Sequence, residues 1–228
     1  MSDGPAVAAN GLVKTYHPSW PGVNDDEVPE VRAVRGVSLS LGAGEVTVLV
    51  GPSGSGKTTL VNLLAGFEQP DAGTVVWAGS SGADDSAPGW SELAVVPQAL
   101  GLLDELTVAE NVALPLRIRD GRVDEAGERW VAALLEQLGV GHVAGHRPSE
   151  ASVGEQQRGA IARALVLEPH VIILDEPTAH QDLRSAAGIV DAIGRAAFNG
   201  AAVLAATHDA AVLDIAHRTV RMTDGRLL

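Results

Sequence analysis

Short apolar runs alternate with helix-length segments over much of this 228-residue chain. Some of these runs have the length and continuous apolar character of buried strands: Glu45–Val50, Val171–Leu174 and Ala201–Ala206. Each is followed by a predicted helix: Lys57–Ala65, Leu183–Phe198 and a segment that begins at Asp209. This alternation of strands and helices predicts an α/β core.

Further strand patterns occupy the two ends of the chain. Val7–Thr15 and Arg32–Leu41 are predicted strands, the second with alternating apolar positions, and a hairpin around Thr223–Gly225 ends the chain. Surface loops are predicted at 17–30, which is rich in proline and acidic residues, and at 79–89, which is rich in Gly, Ser, Ala and Asp.

The pattern becomes helical between about residues 98 and 145. Thr107 and Glu110 form a capping box that opens a short helix, and Pro115 is expected to bend or stop that helix. Asp124 caps a second helix, and Gly139 is its end signal. The apolar face of this second helix comprises Trp130, Val131, Leu134, Leu135 and Leu138.

These patterns predict one domain over residues 1–228, in which a helical insert interrupts the α/β core. The core comprises residues 1–97 and about 146–228, and the insert comprises about 98–145.

Composition narrows the class of protein. Hydrophobic residues make up 46% of the chain, and the absence of cysteine excludes disulfides, thiolate catalysis and cysteine–metal sites. The net charge is −13 and no basic patch is visible, so direct nucleic-acid binding is not expected. We find no signal-peptide pattern and no apolar run near the roughly 18 residues of a membrane helix. We therefore expect a soluble, intracellular chain with no direct membrane insertion, whose membrane role would depend on a partner.

The most informative motif follows the run Glu45–Val50 and precedes the first predicted helix. It fits the phosphate-binding pattern G-x-x-x-x-G-K-[ST] at every fixed position, and it consists of Gly51, Pro52, Ser53, Gly54, Ser55, Gly56, Lys57, Thr58 and Thr59. Glycines let backbone N–H groups close around phosphate oxygens at a helix N-terminus. In this motif Lys57 reaches the β- and γ-phosphates, and the Thr58 hydroxyl binds Mg²⁺.

Two adjacent acids, Asp175 and Glu176, follow the apolar run Val171–Leu174. In phosphate-loop ATPases an acid at this position holds Mg²⁺, which makes Asp175 the candidate metal ligand. Glu176 is the candidate general base for the attacking water. The alternative interpretation is that both carboxylates only cap the turn before Pro177.

A capping box also opens the helical run Gly159–Leu167, because Ser152 stands three residues before Glu155. The helix N-terminus that it marks would be open to an anion. The alternative is that the segment is only a well-capped helix.

The order of these segments resembles that of the ATP-binding cassette (ABC) ATPases over essentially the whole chain. The order is phosphate loop, Gln98, Ser152–Gln156, Asp175–Glu176, Asp182 and His208. The resemblance implies a phosphate-loop NTPase core with an N-terminal antiparallel β subdomain and an inserted α-helical subdomain. It also implies hydrolysis of ATP with Mg²⁺ as cofactor.

The resemblance further implies roles for residues within one subunit. Tyr16 matches the aromatic residue that stacks on adenine, although a lone tyrosine at a strand end also serves packing. Gln98 matches the glutamine that senses Mg²⁺ and the attacking water while contacting the transporter. His208 matches the histidine that contacts the γ-phosphate and orients the base, which makes it a candidate catalytic residue beside Glu176 and Lys57.

Other matched residues would act between subunits. Ser152, Gly154 and Glu155 belong to the signature segment, which contacts the γ-phosphate of ATP held by the other subunit. Asp182 matches the acidic residue of a loop that crosses the dimer interface. The implied partners are a second ABC ATPase and an integral-membrane permease, with this chain peripheral on the inner face of the cell membrane.

Within the family, several segments look like the branch that energises macrolide-export and lipoprotein-releasing permeases. They are Val34–Leu39, Asn62–Gly66, Leu103–Val112 and Leu114–Arg117. This resemblance favours export or mechanical work, while the substrate depends on the permease.

Two positions depart from the family pattern. Val153 replaces the first of the paired glycines of the signature, and Gln181 stands where the family prefers leucine. A β-branched side chain at Val153 adds bulk and disfavours a positive φ. We expect normal ATP binding and weakened closure of the dimer, either in a slow homodimer or in a heterodimer whose second subunit carries the full signature.

Two rival functions stay open at this stage. A cassette ATPase that acts on ribosomes, DNA or chromatin would be expected to carry tandem cassettes, a coiled-coil insert or a basic face. This chain has one cassette, no heptad run and no basic face. A nucleotide-binding regulatory subunit with little hydrolysis is the second rival, which the altered signature leaves open.

Overall fold

The computed structural model describes residues 4–17, 29–78 and 88–228. Most of the two predicted loops, 17–30 and 79–89, lies outside the described residues. The described strands are β1 (Val7–Tyr16), β2 (Val31–Leu41), β3 (Val46–Val50), β4 (Ala72–Trp77), β5 (Leu93–Val96), β6 (Val171–Asp175), β7 (Ala202–Ala206), β8 (Arg218–Thr223) and β9 (Arg226–Leu227). The α-helices are α1 (Lys57–Leu64), α2 (Val108–Asp120), α3 (Glu125–Gln137), α4 (Val153–Leu165), α5 (Leu183–Phe198) and α6 (Ala210–Leu213).

The described strands form two sheets. In the larger sheet the order is β5-β6-β7-β3-β8-β9, and all neighbours are parallel except the closing hairpin of β8 and β9. In the smaller sheet β1 lies between β2 and β4 and pairs antiparallel with both. The α/β core and the N-terminal antiparallel sheet that the sequence predicts are confirmed.

Burial on both faces explains the apolar runs of the large sheet. In β6, Ile172 and Leu174 pack in a cluster with α2, α3, α4 and α5. Val171 and Ile173 face the other way, into a cluster that includes α1 and the antiparallel sheet. A strand covered on both faces has no polar side, and this is why its sequence does not alternate.

The sequence pattern does not predict two of the described strands, β4 and β5. β4 carries a glycine and is mostly exposed or half-buried, so its apolar pattern is weak. β5 has only four residues, which is too short for periodicity to identify. β4 completes the antiparallel sheet, and β5 forms one edge of the parallel sheet.

Of the two effects expected of Pro115, to bend or to stop its helix, the stop is wrong, because α2 continues through it to Asp120. Proline removes one backbone N–H and disfavours a helix interior. The capping box of Thr107 and Glu110 is present at the start of α2, and Pro115 itself is buried. Tertiary packing of α2 therefore outweighs the local cost of the proline.

The fully buried Asn111 connects α2 to the chain before it. Its amide nitrogen donates to the carbonyl oxygens of Leu103, Leu106 and Thr107, and its carbonyl oxygen accepts from the N–H of Leu103. One side chain thus satisfies backbone groups of a loop that has no secondary structure of its own.

None of the described helices combines the length and the apolar character that crossing a membrane would demand.

We expect Asn111→Ala to lower the free energy of unfolding by about 1–3 kcal/mol, because it removes a fully buried side chain and the hydrogen-bond partner of the Leu103 N–H and the Leu106 carbonyl oxygen. Urea denaturation monitored by circular dichroism measures this loss. The matched control is Asn10→Ala, at an exposed position of β1, which should change stability by less than about 0.5 kcal/mol. Equal stability of the Asn111 variant and the control would contradict this account.

Candidate active site

The phosphate loop joins β3 to α1 and fits closely against neighbouring backbone. A Cβ atom on Gly51 would lie 2.2 Å from the carbonyl oxygen of Met222, and one on Gly56 would lie 2.1 Å from that of Ala33. Gly56 also has a φ of 101°, which L side chains rarely adopt. Only glycine fits at these two positions.

The N-terminus of α1 differs from those of the other described α-helices. Gly56 stands at its N-cap and supplies no side-chain hydrogen bond. Each of the others has a side-chain oxygen at its N-cap that accepts from a backbone N–H: Thr107, Asp124, Ser152, Asp182 and Asp209. The first N–H groups of α1 are therefore available to an external acceptor, which is the arrangement that binds phosphate.

Lys57, the first residue of α1, folds back over the loop. Its Nζ donates to the carbonyl oxygens of Gly51 at 2.8 Å and Pro52 at 3.2 Å. The ammonium group thus stands above the same backbone whose glycines create the concave surface.

Thr58 and Asp175, far apart in sequence, meet at the carboxyl edge of the parallel sheet. The Thr58 hydroxyl donates to Oδ2 of Asp175 at 2.9 Å. Asp175 is almost completely buried. Burial raises the pKa of the Asp175 carboxyl; the Thr58 hydrogen bond and the charge of Lys57 oppose this rise, and Glu176 adds to it. A hydroxyl and a carboxylate are hard oxygen donors of the kind that Mg²⁺ prefers.

Glu176 follows the last residue of β6 and has a positive φ of 49°. Its Oε2 accepts from the Thr207 hydroxyl at 3.1 Å, and its Oε1 lies 3.4 Å from Nδ1 of the exposed His208. Its backbone N–H donates to the carbonyl oxygen of Ala206 at 2.8 Å. The carboxylate is therefore oriented by residues at the end of β7, which neighbours β6.

A cleft of about 640 Å³ brings many of the expected residues together, within the usual range for small-molecule sites. The expected residues that line it are Tyr16, Ser53, Gly54, Gly56, Lys57, Thr58, Thr59, Gln98, Asp175 and Glu176. A second cleft of about 300 Å³ shares Gln98, Asp175 and Glu176 with the first and adds His208 and Val153. Gln98 lies where the two clefts meet.

Tyr16 stands at the end of β1 and is held by its hydroxyl group. That hydroxyl donates to Oε2 of Glu68 at 2.6 Å and lies 3.5 Å from Oγ1 of Thr59. The other carboxylate oxygen of Glu68 accepts from the Asn62 amide at 2.9 Å. Partial burial, followed by the hydrogen bond to Glu68, raises the pKa of Tyr16. The ring edge is thereby tied to α1, and the ring lines the larger cleft.

The signature segment forms the start of α4, as its capping box predicts. The Ser152 hydroxyl donates to Oε2 of Glu155 at 2.6 Å, and Oε1 of Glu155 lies 2.7 Å from Nε2 of His142. The Ser152 donors, together with His142, hold the pKa of Glu155 at about 2, so this carboxylate is ionised at neutral pH. Asp182 caps α5 by accepting from the N–H of Ser185.

Some expected residues do not line either of these two clefts in the described part of the chain: Gly51, Pro52 and Ser55 of the phosphate loop, and Ser152, Gly154, Glu155 and Asp182. A single copy of the chain therefore brings together most of the phosphate loop, Asp175, Glu176, Gln98 and Tyr16, while of the signature segment only Val153 lines the second cleft.

The two departures from the family pattern differ in environment. Val153 is the first residue of α4, and its side chain is about half exposed, at 54%. Its φ is not positive, so the backbone penalty that the sequence suggests does not arise and only the bulk remains. The side chain of Gln181 is instead hydrogen-bonded to the start of α4 in the same chain.

Several residues in and around the site carry no recognisable sequence signal. Glu68 holds Tyr16, and Thr207 holds Glu176. Arg32 and Arg35 bring positive charge to the larger cleft from β2. Only Thr207, beside His208, could have been found from its neighbour in the sequence.

Comparisons with known proteins agree with this geometry. The family model described as "ABC transporter" matches residues 34–179. The "Lipoprotein-releasing system ATP-binding protein LolD" of Pseudomonas syringae pv. tomato is 40% identical over 100% of this chain and 99% of its own length.

Solved structures resemble the chain as well. One is titled the dimeric structure of a post-hydrolysis state of the ATP-binding cassette MJ0796 bound to ADP and Pi. It has a TM-score of 0.85 and 28% identity, and the match covers 97% of this chain and 96% of that one. Another, the dimeric structure of MJ0796 as a bacterial ABC transporter cassette, has a TM-score of 0.83, 29% identity and the same coverage. With the phosphate loop, the Thr58–Asp175 pair and the Glu176 carboxylate in one cleft, the chain belongs to the ABC transporter family as an ATPase subunit.

Proposed function

We propose that a pair of these chains closes around ATP and thereby drives an integral-membrane permease of the lipoprotein-release or export type. The observation that carries the proposal is the division of the site. The phosphate loop, Asp175 and Glu176 share one cleft, while the Ser152 end of α4 lies outside it. A second copy facing this cleft would supply the missing side, and the dimeric cassettes of similar fold support that arrangement.

The proposed binding roles combine the geometry of the site with the family pattern. The uncapped N–H groups of α1 and the ammonium of Lys57 bind the phosphates, and Tyr16 stacks on the base. The Thr58 hydroxyl, Asp175 and Gln98 are oxygen donors that suit Mg²⁺, which would supply neutralisation of phosphate charge. The signature residues Ser152, Gly154 and Glu155 and the interface residue Asp182 act on the ATP of the other subunit.

Hydrolysis is an in-line attack of water on the γ-phosphorus. A bond forms between the water oxygen and phosphorus, and the bond to the β–γ bridging oxygen breaks, which releases phosphate and ADP. Glu176 accepts a proton from the attacking water as general base. Thr207 and His208 orient its carboxylate, and Lys57 stabilises the charge on the transferred phosphoryl group.

Movement follows from closure. The helical lobe of α2 and α3 lies between Gln98 and the signature segment along the chain. When two copies approach across ATP, their lobes approach each other and move the bound permease. The chain would thus be peripheral on the inner face of the cell membrane, with the 40% identity to LolD supporting a permease of the lipoprotein-release branch.

A heterodimer is a second candidate assembly, favoured by the half-exposed Val153 in the signature segment. In that arrangement the partner ATPase carries the glycine-paired signature, and the site that receives Val153 turns over slowly.

We expect Glu176→Gln to lower the turnover of ATP by about 100-fold or more, because a general base contributes a factor of this order. The affinity for ATP should stay within about twofold of the parent, since the phosphate contacts lie on α1 and Lys57. Steady-state phosphate release and equilibrium binding of a labelled ATP measure the two quantities. Hydrolysis at the parental rate would remove Glu176 from its assigned role.

We expect Val153→Gly to raise turnover by about fivefold, because it relieves bulk worth about 1 kcal/mol at the facing nucleotide. Val153→Ala is the matched control, since it removes most of the bulk without adding the backbone freedom of glycine. Both variants should act in the same direction. An unchanged rate in both would mean that this position does not limit closure.

We expect an integral-membrane protein to accompany the tagged chain through purification from detergent-solubilised membranes. Mass spectrometry of the purified complex identifies the partner. Purification with the tagged Glu176→Gln variant in the presence of ATP should increase the recovery of the complex. Recovery of soluble partners alone would shift the interpretation to a cassette ATPase outside transport.

A further inference from the structure

Gln181 connects the loop after Glu176 to the start of α4 in the same chain. Its Nε2 donates to the carbonyl oxygen of Gly154 at 3.1 Å. Its Oε1 accepts from Nη1 of Arg158 at 2.5 Å. One amide therefore contacts both the first and the second turn of the helix that carries the signature segment.

Close packing supports this connection. A Cβ atom on Gly154 would lie 3.0 Å from the carbonyl oxygen of His180 and 3.3 Å from Nε2 of Gln181. Gly154 therefore brings the α4 backbone next to the loop, and a side chain there would force the two apart.

Gln181 also accepts a hydrogen bond from the buried, positively charged side chain of Arg158. Arg158 is buried, at 9% exposure, and within the described residues its Nε has no hydrogen-bond partner. A buried guanidinium is costly unless its donors are satisfied. The Gln181 oxygen satisfies one of them, and leucine, which the family prefers at this position, could not.

The same two segments are joined a second time, close to the reacting groups. Nε2 of Gln157, the neighbour of Arg158, donates to the carbonyl oxygen of Glu176 at 3.3 Å. The loop from Glu176 to Asp182 is thus attached to α4 at two points. Gln157 holds the first residue of the loop, and Gln181 lies near the last residue of the loop.

We infer that Gln181 is a positioning residue that makes the signature segment and the loop from Glu176 to Asp182 one rigid unit. This inference rests on the proposed function, in which Ser152 grips ATP on the facing subunit while Glu176 acts on its own. When one end of the unit is fixed by nucleotide, the other end is fixed as well. Gln181 thereby couples the two ATP sites of the dimer.

The first test uses the nucleotide-free chain and does not require a dimer. Gln181→Met keeps the length of the side chain and removes both hydrogen bonds. Hydrogen–deuterium exchange should rise about threefold or more in a peptide over residues 153–160, because the contacts that hold the helix start are lost. The control Gln69→Met changes an exposed glutamine and should leave that peptide unchanged. Unaltered exchange in Gln181→Met would overturn the inference.

The second test measures closure in the Glu176→Gln background by light scattering during titration with ATP. Gln181→Met should raise the ATP concentration for half-maximal dimer about tenfold, as expected for two lost hydrogen bonds, one of them to a charged group. The affinity of the single chain for ATP should stay within about twofold of that of the Glu176→Gln parent. In the chain that keeps Glu176, Gln181→Met should lower the Hill coefficient of ATP hydrolysis towards one. A merely destabilised chain would instead lose ATP binding and thermal stability together.

The outcomes separate the inference from the proposed function. If the Glu176→Gln parent does not dimerise with ATP, the proposed function fails and the exchange experiment alone decides the inference. If the parent dimerises and Gln181→Met matches it in ATP requirement, the coupling role of Gln181 is wrong. Recovery of parental closure by Gln181→Leu would overturn it equally, since leucine cannot make either bond.

Discussion

The parallel pairing of β3, β7 and β6 is the constraint on which the rest of the site depends. β7 pairs in parallel with both neighbours, so the carboxyl ends of all three strands lie at one edge of the sheet. The phosphate loop leaves β3 there, Asp175 and Glu176 end β6 there, and Thr207 follows β7 there. A ligand site at this edge is a general property of open parallel sheets. The pairing is secured by apolar side chains on both faces of the sheet.

Helix capping divides the molecule into closed and open N-termini. The open one, at α1, presents its N–H groups to a cleft lined with Lys57, whereas the start of α4 is closed by its own Ser152 and Glu155. In the proposed assembly the two face each other across ATP. The phosphate would then compete with the ionised Glu155 for the Ser152 hydroxyl. The second subunit would therefore bind the phosphate only after that hydrogen bond breaks, whereas the N–H groups of α1 need no such change.

The loop after Glu176 links these two features. Its first residue has a strained backbone and carries the proposed base, and its last residue, Asp182, caps α5. Between them, Gln181 is bonded to the signature helix. Gln181, where the family prefers leucine, therefore places a hydrogen-bonded amide at a position that would otherwise hold an apolar side chain.

Much of the fold could be predicted because its signals are local. A strand that is buried on both faces can be recognised from four or five consecutive apolar residues. A capping box can be recognised from two residues three positions apart. The weak strands β4 and β5 lack such a record, since one is largely exposed and the other is short. Pro115 shows the opposite failure, where a strong local signal is outweighed by packing of α2.

The sequence by itself determined the phosphate loop, the acids after β6, the capped start of α4 and the class of the fold. Only the tertiary structure decided that Thr58 donates to Asp175, that Glu68 holds Tyr16 and that Gln181 turns inward to Gly154 and Arg158. The physical reason is range. Motifs and caps are interactions among neighbours a few residues apart, whereas these contacts join segments that meet only after the sheet and its two apolar faces have formed.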